Sequence, residues 1–373
     1  MNEAEPRLTL VNTGSVIPRE ISTLQDWQQR CQSEWQDCAV DLGASLMNFF
    51  HSQTGFDPQQ LSTYAPETRW QHRFRESDQS IADMAVGALQ QLRSERPSEN
   101  MVCALMLLCT NAFDDSQLYR SIVTQMAAET GNADQNHFAV SQMQGAALGT
   151  SLDIIKAMVP DAGQSALLVA SERWMLPFSR FMPSSPPLAD GAVALWFEQQ
   201  SQPDGLVLLG QYQSQKASFV EQGPVAIAGN VQVNLRRDVA PIAEYSTKAV
   251  HSELSFAIDN MTSAVSEAIA ACLDQLRLTT DDIDLWLPSG LDAEVDEQVL
   301  QQLTDKACYD RNRLPDDGGY LCAASTPLIL SHVLNDWRQG KIKNNTYLLS
   351  WGLSWSGCVC VQVWQTQGNP LCN

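Results

Sequence analysis

Positive charge is scarce in this sequence: 23 Lys and Arg stand against 43 Asp and Glu, a formal net charge of −20. A field of that sign repels phosphate backbones and anionic headgroups, so neither a nucleic acid nor a membrane is expected as a partner. The arginines available for a local basic patch are Arg173, Arg180, Arg236 and Arg237. Long apolar runs are also missing. The longest, Met101 to Cys109, is far too short to cross a bilayer, and the opening MNEAEPRLTL has neither the basic n-region nor the apolar h-region of a secretory leader. A cytoplasmic location is expected.

Clustered metal ligands are lacking as well. The five histidines (His51, His72, His137, His251, His332) are scattered, and Cys358-Val359-Cys360 has no second Cys or His pair at zinc-ligand spacing. Neither a metal nor a cofactor is expected. Cys103, Cys109, Cys272, Cys358 and Cys360 lie inside apolar stretches, where reduced thiols behave as small hydrophobes. Strand spacing puts Cys358 and Cys360 on one face.

What is present is enough apolar material for a full core: 44% of the 373 residues are hydrophobic and 18% are charged. That length points to two domains or one two-lobed unit. Helical and strand periodicities alternate from end to end, which predicts an α/β fold. Leu8–Val11 reads as the first strand, and a helix follows from about Leu24 to Phe50. Ser80-x-x-Asp83 is a capping-box pattern ahead of a helix with Ile81, Met84, Ala88, Leu89 and Leu92 on one face. Asn100 to Cys109 reads as a strand buried on both faces of a parallel sheet. A helix over Gln117–Glu129, a short strand at His137–Val140, a helical face of Leu148, Leu152, Ile155 and Val159, and a strand at Ala166–Ala170 follow. Later come a helical stripe (Ile258, Met261, Val265, Ile269, Cys272, Leu276) and a strand at Ile283–Leu287 ending at Pro288.

Fixed-period repeats are absent, but the two halves share a plan. Gln142–Ala147, a helix and the strand at 166–170 match Gly319–Ala324, a helix and the strand at Thr346–Ser350. The Pro183–Pro187 loop is the expected boundary, giving an N-terminal half over 1–185 and a C-terminal half over 186–373.

Several segments, in this order, resemble the thiolase superfamily and its ketoacyl-acyl-carrier-protein synthase III branch. Val11–Pro18 is similar to the family's first strand and loop, and Phe138–Ala146 to the turn that carries the nucleophile. Leu167–Glu172 is similar to the strand ending in Ser-Glu, and Ala189–Ala192 to the turn opening the second half. Ser325-Thr326-Pro327-Leu328 and Gly352-Leu353-Ser354-Trp355 are similar to the late helix start and the C-terminal glycine loop. The resemblance implies a five-layered α/β/α/β/α dimer that condenses or transfers acyl groups carried as thioesters. It assigns turn-supporting roles to Glu172 and Asp190, and close backbone approach to Gly352.

The family chemistry requires a cysteine that accepts the acyl group, with a histidine and an asparagine that stabilise developing negative charge. On the matching positions this chain carries Met143, Ser289 and Tyr320. A thioether has no proton to lose, a serine hydroxyl lacks imidazole's reach and titration range, and a phenol ring fills space that a thioester needs. No catalytic residue is therefore expected. The resemblance instead implies a catalytically silent subunit, a pseudoenzyme in a dimer or higher oligomer, paired with an active ketosynthase-like homologue for fatty-acid, polyketide or related synthesis. That homologue would bind the acyl carrier protein or CoA thioester, and the strand at His137–Gln142 would meet it. Three alternatives stand beside this reading: an acyltransferase using Cys322, at a helix start, or Ser141; a malonyl decarboxylase with Gln144 at the nucleophile position; and a module that holds a thioester without reacting.

Overall fold

The capping box at Ser80 forms as the sequence predicts. Asp83 N donates to Ser80 Oγ at 3.0 Å, and Asp83 Oδ2 accepts from Ser80 Oγ at 2.7 Å and Ser80 N at 3.2 Å. The computed structural model describes residues 5–23, 25–26, 29, 73–95, 102–111, 121–141, 143–174, 187–215, 226–227, 231–232, 247–288, 290–291, 293–306, 309, 319–354 and 357–368. The helix predicted over 24–50, apart from residues 25–26 and 29, and residues 183–186 of the boundary loop lie outside them.

Strands β1 (Arg7–Val16), β2 (Ile21–Thr23) and β3 (Arg73–Arg75) precede helix α1 (Ile81–Glu95). Then come β4 (Leu105–Thr110), α2 (Ile122–Glu129), β5 (Asn136–Ser141), α3 (Ala147–Met158), β6 (Ser165–Glu172), β7 (Gly191–Gln200) and β8 (Gly205–Gln215). Short strands β9 (Ala226–Ile227) and β10 (Val231–Gln232) are followed by α4 (Thr247–Leu276), β11 (Leu285–Leu287), α5 (Ala293–Leu303), α6 (Ser325–Arg338), β12 (Tyr347–Leu353) and β13 (Cys358–Gln367). All six residues of β4 are buried, and it runs parallel to both β5 and β6, as its unbroken apolar run requires.

Nine strands form one hydrogen-bonded array in the order β11-β12-β13-β8-β1-β7-β6-β4-β5. Its weakest seam lies between β1 and β8, which pair only at Thr9–Val207 and Leu10–Leu206. On one side of the seam β4 and β6 are parallel while β7 is antiparallel to both β6 and β1. On the other side β11 and β12 are parallel while β13 is antiparallel to both β12 and β8. The second sheet therefore repeats the first, with Tyr309 donating its N–H to Trp286 O on the edge of β11 where β5 stands beside β4. The repeat turns over between β7 and β8, at residues 201–204, because β7 pairs with β1 and β6.

Helices α1 and α2 cover the outer face of the first sheet, and α4 and α5 that of the second. Between the sheets, α3 packs on β4, β13 and β8, and α6 on β1, β7 and β12. The order helix, sheet, helix, sheet, helix follows. The predicted faces are the buried ones: Leu148, Leu152, Ile155 and Val159 on and just after α3, and Met261, Val265, Ile269 and Cys272 on α4. Cys103, Cys109, Cys272, Cys322, Cys358 and Cys360 are all buried free thiols. Among the described residues no helix is long and apolar enough to cross a membrane.

Candidate functional site

Two left-handed residues mark where the halves converge. Gln144 (φ 47°) and Cys322 (φ 49°) each head a 3₁₀ turn, Gln144–Ala146 leading into α3 and Cys322–Ala324 into α6. A non-glycine residue in this region costs on the order of 1 kcal/mol or more, so the surroundings must hold it there. A single buried carboxylate does so for both. Glu172, at the end of β6, accepts from Asn111 N at 3.0 and 3.1 Å, from Asn111 Nδ2 at 2.6 Å and from Ala323 N at 3.2 Å. Asn111 Oδ1 in turn accepts from Gln144 N at 2.8 Å.

The turn at 144–146 is pressed against β12. A Cβ on Gly352 would lie 1.9 Å from Gly145 O, so glycine is required there for the two backbones to meet. A Cβ on Gly145 would lie 3.0 Å from the Tyr320 hydroxyl and 3.1 Å from Leu353 O. Tyr320 thus occupies the space over the elbow, only 2% exposed. Its backbone is fixed by Ala189 N donating to Tyr320 O at 2.9 Å and by Tyr320 N donating to Pro187 O at 2.6 Å. The Gly145 N–H faces the phenol oxygen without reaching hydrogen-bond geometry, and the hydroxyl has no partner among the described residues. Burial, reinforced by Cys322, Glu172 and Asp296, pushes this phenol well above its ordinary range. It stays protonated.

Met143 lies half-buried ahead of the 144–146 turn, its side chain packed on Ala146, Cys358 and Cys360. Ser289 lies outside the described residues, but its neighbour is pinned: Gly290 N donates to Asp296 Oδ2 at 2.9 Å, and Trp351 Nε1 donates to Asp296 Oδ1 at 2.9 Å. Met143 and Tyr320 thus converge on one elbow, with Asp296 behind the turn that leads to it.

The other nominated groups fall elsewhere. Ser141 is exposed at the end of β5. Cys322 is fully buried, and burial followed by the Glu172 carboxylate pushes its thiol well above the ordinary value, outweighing the helix-start effect that nominated it. Cys109 is pushed up to about 12 by burial, partly offset by a hydrogen bond to Ser151. Asp190 supports turns, accepting from Ser77 N at 2.9 Å and Trp174 N at 2.8 Å. His137 is half-buried, its Nδ1 2.8 Å from Gln135 O, and His332 is half-buried on α6. Among the described residues Cys358 is the one thiol whose pKa is lowered, to about 7, chiefly through its neighbour Cys360, which is raised in turn.

Sequence reasoning missed Asn111 and Asp296. Asn111 directly follows Thr110, the last residue of β4, and its side chain reaches the elbow. Asp296 reads as an ordinary first-turn acid of α5, and only burial against Trp351 distinguishes it.

No protein-family model and no curated protein matches the sequence. Solved structures do match along nearly the whole chain. The acyltransferase ChlB3 superposes with a TM-score of 0.68 at 18% identity, covering 98% of this chain and 99% of its own. The 3-oxoacyl-(acyl carrier protein) synthase III of Pseudomonas aeruginosa PAO1 gives 0.60 at 17% identity over 97% and 99%. Xanthomonas campestris OleA with bound lauric acid and lauroyl-CoA gives 0.65 at 12% identity over 96% and 99%. Likeness at this level of identity establishes the fold alone: the chain is built on the thiolase fold, in the form that these ketosynthase III-like structures share.

Proposed function

We propose that this chain is a catalytically silent, ketosynthase III-like subunit that supports an active homologue in acyl transfer or condensation. The observation that carries the reading is Tyr320, which is buried, protonated and set directly over Gly145. Its ring takes the volume in which a thioester would be attacked, and Met143 offers a thioether where attack requires a thiolate. The elbow frame around them, from Glu172 to Gly352, is intact, so what is missing is the chemistry and not the architecture.

Pairing has its own support in β5. Among the described residues the strand ends the nine-stranded array, bonded to β4 alone, and its sequence Asn-His-Phe-Ala-Val-Ser has no lysine, acid or proline to blunt the edge. An unprotected edge of this kind is normally covered by a partner strand. Two copies of a chain at −20 bring like charge together, and a less acidic homologue reduces that repulsion. Co-expression with a cysteine-bearing homologue, followed by native mass spectrometry, should give a one-to-one complex. A homodimer that ignores every such homologue would overturn the pairing.

A second reading is favoured by Gln144, whose left-handed backbone and anchored N–H put it at the apex of the elbow. In that register the chain is a malonyl decarboxylase, and release of CO2 from a malonyl thioester, abolished by Gln144→Ala, would establish it.

A further inference from the structure

We propose that Cys358, Cys360 and Met143 form a sulfur-only site for one soft monovalent cation, with Cu(I) as its biological representative. The site follows from the pleat of β13. Val359 and Val361 pack into the core shared with α4, whereas Cys358 and Cys360 point to the opposite face, where they form a separate small cluster with Ala146 and the Met143 side chain. Both thiols are 1% exposed. They lie in one small buried cluster on the same side of the strand.

The surroundings are arranged around the sulfurs. Gln213 Nε2 donates to Cys358 Sγ at 3.3 Å, and Cys360 Sγ donates to Ala146 O at 3.3 Å. Outer partners of this kind orient metal-binding side chains. A Cβ on Gly149 would lie 2.6 Å from both Cβ and Sγ of Cys360, so glycine lets α3 close over the pair. Gln213 itself is exposed on β8, which leaves Cys358 one side chain away from water and gives an ion its entry.

Ligand chemistry selects the ion. Two thiols and a thioether are soft donors that suit Cu(I) and its heavier congener Ag(I), and they offer no oxygen for magnesium or calcium. A tetrahedral zinc site needs four ligands, and among the described residues no group of three His, Cys, Asp or Glu gathers for one. Charge points the same way, because a buried site favours neutrality. The Cys358 S–H bond breaks as the S–Cu bond forms, the proton leaves to solvent, and nothing is oxidised or reduced. The resulting unit of one thiolate, one thiol, one thioether and one monovalent cation is neutral. This assignment does not depend on whether the elbow is silent.

The test is an anaerobic titration of the full chain with Cu(I) against a competing chromophoric chelator. One ion per chain with a sulfur-only first shell by X-ray absorption is expected. Cys358→Ser should weaken binding by more than ~100-fold, and Gln213→Ala, an exposed position whose change leaves the fold intact, by ~10-fold. Met143→Leu, similar in volume, should also weaken it, while Cys322→Ser should not. Failure of the native chain to take Cu(I) from the chelator would overturn the proposal, as would an affinity unchanged in Gln213→Ala and Met143→Leu. A buried thiol pair that merely fills space gives one of those two results.

Discussion

Tyr320 carries more of the argument than any other residue, and its hydroxyl is open to a direct test. A buried hydroxyl without a partner costs about 1–3 kcal/mol of desolvation that no bond returns. Tyr320→Phe should therefore hold or raise stability, by up to about 1–2 kcal/mol, visible as a higher urea midpoint at unchanged m. A loss of more than about 1 kcal/mol would mean that the phenol is bonded in solution. The buried thiols make a second prediction. Burial raises Cys103 to about 11, Cys109 to about 12 and Cys272 to about 11, whereas an unfolded thiol ionises near 9.0. Between those values the native state keeps protons that the unfolded state has lost. Stability should therefore fall as pH rises above about 9, by at most about 1.4 kcal/mol per pH unit for each thiol. Urea melts at about pH 8 and about pH 10 check the sign, and a flat or rising profile would contradict it.

At the scale of elements, the Glu172 carboxylate joins the end of β6 to both elbows through Asn111 and Ala323. Glu172→Gln replaces one acceptor oxygen with a donor that faces backbone N–H groups. It should cost at least about 3 kcal/mol in chemical denaturation, and a near-neutral effect would show that the elbows are held by other means. Most of the elements were legible in the sequence because each rested on one strong local signal. The capping box at Ser80 and Asp83, the apolar run of β4 and the Met261-to-Cys272 stripe all became the predicted helix, strand and face. The pairing of β7 was not legible in that way. Nothing local marks that β7 belongs with β1 and β6, because those hydrogen bonds are made to strands 19 or more residues away. Asn111 and Asp296 escaped for a related reason: their importance comes from what they touch across the fold, and a polar residue after a strand or in a helix's first turn carries no local mark of that. Cys322 shows the converse. Its place at a helix start offers an activated thiol only as an alternative, and complete burial beside Glu172 pushes that thiol up instead.

For the whole molecule, the strand order repeats about the β1–β8 seam and sets α3 and α6 between two sheets, with the elbow turns at their heads and Glu172 bridging them. That frame supports the proposed role without requiring chemistry of its own: an elbow filled by Tyr320, a thioether at Met143, and β5 as the terminal strand of the described array. The central claim is that no group of this chain accepts an acyl group from a thioester. Intact-mass measurement after incubation of the full chain with a series of acyl-CoA thioesters tests it most directly. The account predicts an unchanged mass across the series, with acylation confined to a co-expressed partner. A stoichiometric acyl adduct on this chain, mapped by peptide analysis to Cys322, Ser141 or Cys358, would contradict it.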